Sequence, residues 1–170
     1  MSVRHATLAD VPAICRLIAH YAQQGALLRR EKQEIYGNIG NFLVHSDGHR
    51  VVGCISLESY GTELSEIRSI AVAPEILGRG IGSGLIESAL AEARRREIVR
   101  VFAVTHVPQL FLRSGFTAVP RQLLTEKIDR DCQKCPQRSS CKLTAVIATV
   151  HPQHLALPLL AGSSIRVSLI

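Results

Sequence analysis

Apolar positions along this chain fall on two different periods. Between Asp10 and Gln23, residues Ile14, Leu17, Ile18 and Tyr21 keep the three-to-four spacing of one helix face. Asp10 stands where an N-cap belongs and Pro12 falls in the first turn. Leu85, Ile86, Ala89, Leu90 and Ala93 repeat that spacing, and Arg94, Arg95 and Arg96 follow at the end where the helix dipole favours cations. Strand-like runs surround these helices. "VRHAT" opens the chain, and "FLVHSDGHRVVGCISLES" reads as a hairpin about its Asp47-Gly48 turn. "ELSEIRSIAVAP", "VRVFAVT", "FTAVP" and "LTAVIATV" are further strands, while "EKQEIYGNIGNF" and "VPQLFLRSG" read as short helices. The order predicts an α/β fold: a mixed sheet with a hairpin early and crossover helices later.

Composition narrows the class. The 170 residues suit one domain with its own core, and 46% hydrophobic against 20% charged residues excludes a disordered chain. No uninterrupted apolar run reaches the roughly 20 residues of a membrane span. The tail comes nearest, and Pro158, Gly162, Ser163, Ser164 and Arg166 break it. "MSVRHATLADVP" lacks the basic-then-apolar pattern of a secretion signal, so a cytoplasmic protein is expected. A net charge of +6 suits nucleic acid or a ligand with several phosphates, but few aromatics and no Trp leave little to stack bases on. His45 and His49 flank the hairpin turn and are expected in solvent, whereas Cys15 and Cys54 sit in apolar stretches as small core residues.

Residues 78–84 read "GRGIGSG" between a strand and a helix. A helix start exposes unpaired N–H groups and partial positive charge, so it is a natural anion site. Glycines let the backbone come close to an anion, and Arg79 adds a cation. The segment lacks the Gly-Lys-Ser/Thr ending of a Walker loop and the spacing of a dinucleotide fingerprint. A glycine-rich turn with no ligand is the plain alternative.

The flanks bring a resemblance. "SIAVAPEILGRGIGSGLIESALAEAR" resembles the acetyl-CoA-binding segment of the GCN5-related N-acetyltransferase (GNAT) superfamily, with Gly80 and Gly82 at its two small positions and Leu77 where Arg or Gln is usual. "QLFLRSGF" resembles the family's second landmark, and the element order fits from residue 3 to about residue 150. The resemblance implies one GNAT domain over 1–150, with a mixed, mostly antiparallel central sheet flanked by helices on both faces. Residues 151–170 would be an extension whose alternating Ile165, Val167 and Leu169 suit a strand added to this sheet's edge or a partner's. It implies acetyl transfer from acetyl-CoA, with cofactor contacts at Ile70, Ala71, Val72, Gly78, Arg79, Gly80, Ile81, Gly82, Ser83 and Phe111. Glu66 matches the family's general base, with a Glu paired to Arg68 or another cation as the alternative. The oxyanion would be met by a backbone N–H near Ala71 or Val72. Phe111 stands where many relatives place an acidic Tyr, leaving Thr105 or a water to hydrogen-bond the departing thiolate.

"QGALLRREKQEIYGNI", "LSEIRSIAV" and "LTEKIDRDCQKCPQRSSC" together resemble the short N-acetylglutamate synthase-like branch, with Arg29 and Thr125 at positions where Pro is usual. That implies an amino-acid acceptor, most simply glutamate, whose carboxylates Arg30, Arg68 and Lys127 would bind. The implied partners are a small molecule, with no nucleic acid and no membrane, and a homodimer is left open. Another amine or a protein N-terminus as acceptor, or a catalytically weak acyl-CoA sensor, are the competing functions. Cys132, Cys135 and Cys141 give C-x2-C-x5-C, which suits a zinc site short of a fourth ligand, a redox-labile pair, or inert thiols.

Overall fold

The computed structural model describes residues 2–135 and 138–151. Its strands are β1 (Ser2–His5), β2 (Phe42–Asp47), β3 (Arg50–Ser59), β4 (Leu64–Val72), β5 (Arg100–Thr105), β6 (Thr117–Val119) and β7 (Thr144–Thr149). They form one sheet in the order β1-β2-β3-β4-β5-β7-β6, antiparallel throughout except between β4 and β5. The helices are α1 (Val11–Gln23), α2 (Lys32–Gly37), α3 (Ile81–Arg95), α4 (Pro108–Leu112) and α5 (Thr125–Arg130). The periodic segments of the sequence all appear as the elements they predict. Helix α5 and the seating of β7 between β5 and β6 are additions. The tail beyond His151 lies outside the described residues.

Each face of the sheet is covered by a different set of helices. On one, α3 presses its predicted stripe of Leu85, Ile86, Ala89, Leu90 and Ala93 onto Leu43, Ile55, Ile67, Val101 and Val146. Gly53 sets how closely this helix approaches. A Cβ there would stand 3.1 Å from Leu85 Cδ1 and 3.2 Å from Ile81 Cγ2, so a side chain on β3 would push away the first turn of α3. On the other face, α1 and α2 bring Ile14, Ile18 and Ile35 onto Phe42, Val44, Cys54 and Ala71. A separate cluster of Leu64, Phe102, Leu124 and Ala145 lies near the start of α5. The two clusters are distinct, and the strand residues between them are polar: Ser56, Glu58, Glu66 and Arg68.

Two sequence expectations change. Asp10 does precede α1, but its carboxylate turns back instead of capping that helix. It takes a bidentate bond from Arg4 at 2.7 and 2.8 Å and accepts the Thr7 N–H at 2.8 Å, so it staples β1 to the turn before α1. His45 is 9% exposed rather than solvated, because β2 lies between β1 and β3, where His45 pairs with Val3 on one side and Gly53 on the other.

The Arg4 hydrogen bond holds the Asp10 carboxyl down at about 2. A depressed carboxyl stabilises the fold above its unfolded value of about 4, and that contribution is lost as pH falls through the native value. Asp10→Asn should therefore cost about 1–2 kcal/mol at about pH 7 and much less at about pH 2, measured by urea unfolding at both.

Candidate active site

Strands β4 and β5 pair through Leu64–Arg100, Ser65–Val101 and Glu66–Phe102, and the pairing ends there. Each strand continues, β4 to Val72 and β5 to Thr105. The two therefore part and leave a wedge at their C-terminal ends. On its other edge β4 stays paired to β3, but the register steps from Cys54–Ala71 to Ser56–Arg68. Two residues of β4 there, Ser69 and Ile70, oppose one of β3, Ile55, which makes a bulge. Ser69 sits in it at φ 50°, in the left-handed region that a serine enters only when its surroundings hold it there.

Beyond Val72 the chain reaches the glycine loop. Gly78 and Gly80 take φ values of 80° and 77°, and Gly80 is the N-cap of α3. The Gly84 N–H is the one that reaches back to the Gly80 carbonyl, at 3.0 Å. Ile81, Gly82 and Ser83 thus present the unpaired N–H groups of a helix start. A Cβ on Gly78 or Gly80 would meet nothing, so the space in front is open, and Arg79 is exposed beside it. This loop meets the requirements of a pyrophosphate cradle. Gly82 has a packing reason as well, since its Cβ would come within 3.3 Å of Leu110 on α4.

The other residues implied at the cofactor divide. Ala71 and Val72 are buried and Ile70 is half-buried, so they offer backbone more than side chain to the wedge. The Val72 carbonyl is already taken by the Tyr21 hydroxyl at 2.6 Å. Thr105 lies at the end of β5, and its hydroxyl oxygen accepts the Val107 N–H at 3.0 Å, leaving its hydrogen to donate. Phe111 lies deeper than a cofactor contact requires. At 1% exposure it packs edge-to-face on Phe116, 5.3 Å between ring centres, and is a core side chain with no surface to give a ligand.

At the polar gap lies a set of charges that the sequence showed only in fragments. Glu66 is 3% exposed and accepts from Arg68, from the Tyr60 hydroxyl at 2.9 Å and from Lys127 at 3.0 Å. Asp131 accepts from Arg68 and from Lys127 at 2.6 Å, and shares with Glu66 the single hydrogen of the Tyr60 hydroxyl, which lies 2.6 Å from it. Glu58 stands directly opposite Glu66 across the strands and is answered by Arg130 at 2.7 Å. Two carboxylates facing each other on neighbouring strands repel. The arrangement holds because Arg68, Lys127 and Arg130 surround them. The Arg130 guanidinium also lies 4.4 Å from the centre of the Tyr60 ring. Burial works against the charge on Asp131, but the bonds from Lys127 and Tyr60 and the charge of Arg68 outweigh it and hold the carboxyl at about 2. Burial likewise pushes the Tyr60 hydroxyl up, reinforced by the Glu66 charge, so it remains a neutral donor.

A cavity of about 240 Å³ opens over this network, lined by Arg30, Asn38, Glu58, Arg68, Ser69 and Arg130 among others. Arg30 and Arg68, 38 positions apart in sequence, meet at its wall. Arg30 is held by Glu34 at 2.6 Å. Lys127, the third cation expected to meet the acceptor, is not among the lining residues and is paired with Glu66 and Asp131. Tyr60, Ser69, Arg130 and Asp131 were not foreseen, and only the four-residue step from Lys127 to Asp131 hinted at a pair. A larger cavity of about 520 Å³, between α1 and the segment around Pro74, contains neither arginine of this site.

Comparison with known proteins decides the family. Residues 12–116 match the model of the acetyltransferase (GNAT) family. The chain belongs to the GNAT acetyltransferase family. This GNAT chain is 36% identical over 148 residues to an uncharacterized N-acetyltransferase of Chlorobaculum tepidum, covering 87% of the present chain and 96% of the relative. It is also 36% identical over 135 residues to an amino-acid acetyltransferase of Mycobacterium tuberculosis, covering 77% of each. Among solved structures, N-acetylglutamate synthase from Neisseria gonorrhoeae, complexed with coenzyme A and N-acetyl-glutamate, superposes with a TM-score of 0.80 at 26% identity. That match takes in 88% of the present chain and 35% of the longer synthase.

The charge network of this GNAT domain makes one prediction independent of substrate. Lys127→Met removes a cation from two carboxylates, one of them buried, and should lower stability by about 1–3 kcal/mol while leaving CoA affinity unchanged. Urea unfolding and calorimetric titration with CoA measure the two effects.

Proposed function

We propose that this enzyme transfers the acetyl group of acetyl-CoA to the α-amine of an amino acid, with glutamate the leading acceptor. The reading rests on one observation: Arg30 and Arg68 converge on a single cavity beside the bulge of β4, next to the wedge that leads to the glycine loop. Two guanidiniums suit an acceptor with two carboxylates, which each binds with two parallel hydrogen bonds. The name of the M. tuberculosis relative and the ligands of the N. gonorrhoeae synthase support the same class. In that setting the step would serve arginine biosynthesis.

The residues divide the work as follows. The N–H groups of Ile81, Gly82 and Ser83 hold the pyrophosphate, with Arg79 adding charge. Acetyl-CoA supplies an activated thioester. The N–H groups of β4 near Ala71 and Val72 face the thioester oxygen as negative charge develops on it, and Thr105 donates toward the sulfur. Arg30 and Arg68 fix the acceptor so that its amine meets the carbonyl directly, in a ternary complex. Glu66 carries three hydrogen-bond partners, which favours the ion-pair role over that of general base. It aims Arg68, and the amine's proton leaves to water at the cavity mouth.

The assay follows free thiol release from acetyl-CoA with each amino acid in turn. Turnover with glutamate or glutamine supports the proposal, whereas CoA binding without turnover on any amine points to a sensor. Arg30→Ala should raise the acceptor KM about tenfold with kcat within about threefold, because it removes binding shared by ground and transition states. Glu66→Gln should also act mainly on KM, and a kcat loss of about 100-fold or more would make Glu66 the base instead.

A further inference from the structure

Three cysteines follow α5, and two of them share a turn. Cys132 opens a short 3-10 turn and Cys135 closes it, its N–H donating to the Cys132 carbonyl at 3.2 Å. Three residues of such a turn rise about 6 Å with side chains eclipsed, which falls within the roughly 4.4–6.8 Å between Cα atoms that a disulfide spans. Both are half-buried free thiols. Cys141 is also a neighbour of Cys132, but its sulfur is already engaged: the Arg121 guanidinium donates to it at 3.0 Å and to the Leu143 carbonyl at 3.1 Å. Among the described residues no group of His, Cys, Asp or Glu is arranged to hold a metal ion.

The turn is joined to the acceptor site. Its preceding residue is Asp131, whose Oδ2 receives Tyr60, Lys127 and Arg68. A disulfide holds its two Cβ atoms at about 3.8 Å, which fixes the shape of the turn between them. Asp131 is the residue from which that turn starts, so a bond that reshapes the turn acts on the backbone that carries its carboxylate. We propose that Cys132 and Cys135 form a reversible disulfide that shifts Asp131 and so loosens the aim of Arg68 on the acceptor. The effect on catalysis rests on the acetyl-transfer reading above, but formation of the bond does not.

A glutathione disulfide suffices as oxidant. The Cys135 thiolate attacks one of its sulfurs and expels one glutathione thiolate. The Cys132 thiolate then attacks Cys135 of the mixed disulfide and expels the second. Two protein thiols are oxidised and one glutathione disulfide becomes two glutathiones, with the two thiol protons taken up by the leaving thiolates. Burial pushes the Cys132 thiol up, which disfavours it as the first attacker.

The full chain is equilibrated in glutathione buffers of graded ratio, alkylated, and mapped by mass spectrometry. The expected oxidised form links Cys132 to Cys135 and leaves Cys141 alkylated. Its acceptor KM rises at least about threefold with CoA affinity unchanged, and Cys135→Ser abolishes the response. The ring NMR signals of Tyr60, assigned with Tyr60→Phe, shift between the two forms whether or not any amino acid turns over. Alkylation of all three cysteines at every ratio, a bond to Cys141, tightly held zinc in the purified protein, or a Tyr60 ring that does not respond each overturns the switch. A linked pair with a moved Tyr60 but no turnover in either form retains the switch and rejects the acetyl-transfer reading.

Discussion

Strands β4 and β5 hydrogen-bond through three residue pairs, ending at Glu66 and Phe102, and then separate. Main-chain N–H and C=O groups left without a ladder partner inside a fold demand another partner. The separation therefore creates both an opening and a set of groups ready to bind what enters it. It also places the bulge of β4, the end of β5 at Thr105 and the glycine-started helix α3 around one space. Gly53 lets α3 lie close enough to β3 for its first turn to border that space.

The second constraint is electrostatic. Glu66 lies almost wholly buried opposite Glu58, and an isolated ionised carboxylate there would be too costly to keep. Arg68 from the same strand, Lys127 and Arg130 from α5, and the neutral Tyr60 hydroxyl offset that cost. The same bonds hold α5 over β4, where few apolar contacts exist beyond the cluster around Phe102 and Leu124. The proposed acceptor pocket thus inherits its shape from charge pairing, and its guanidiniums arrive already oriented. In the proposed pocket an acceptor carboxylate would share Arg30 with Glu34, and Arg68 with Glu66 and Asp131. Such sharing is a natural source of selectivity among amino acids.

Much of the fold was legible because its elements repeat apolar residues at clean periods. The stripe of α3 and the hairpin around Asp47-Gly48 stand as read, and so does the strand before the glycine loop. Helix α5 escaped because "TEKIDR" has no apolar stripe to announce it, being held by ions rather than by a core face. The burial of Phe111 was not legible, because a family position does not say how deep a ring sits. Lys127, a third candidate for the acceptor's carboxylates, pairs with Glu66 and Asp131, since neither spacing nor charge reports which carboxylate will claim a lysine.

The sequence by itself determined the sheet-and-helix alternation, the glycine-started helix and the family to which the chain belongs. Each depends on local periodicity or on a contiguous motif. Tertiary structure alone decided that Arg30 and Arg68 share a cavity, that Asp131 reaches Arg68 across 63 positions, and that Glu66 is enclosed by cations. Those pairings join residues distant in the chain, and buried charges choose partners by what folding brings within hydrogen-bond reach.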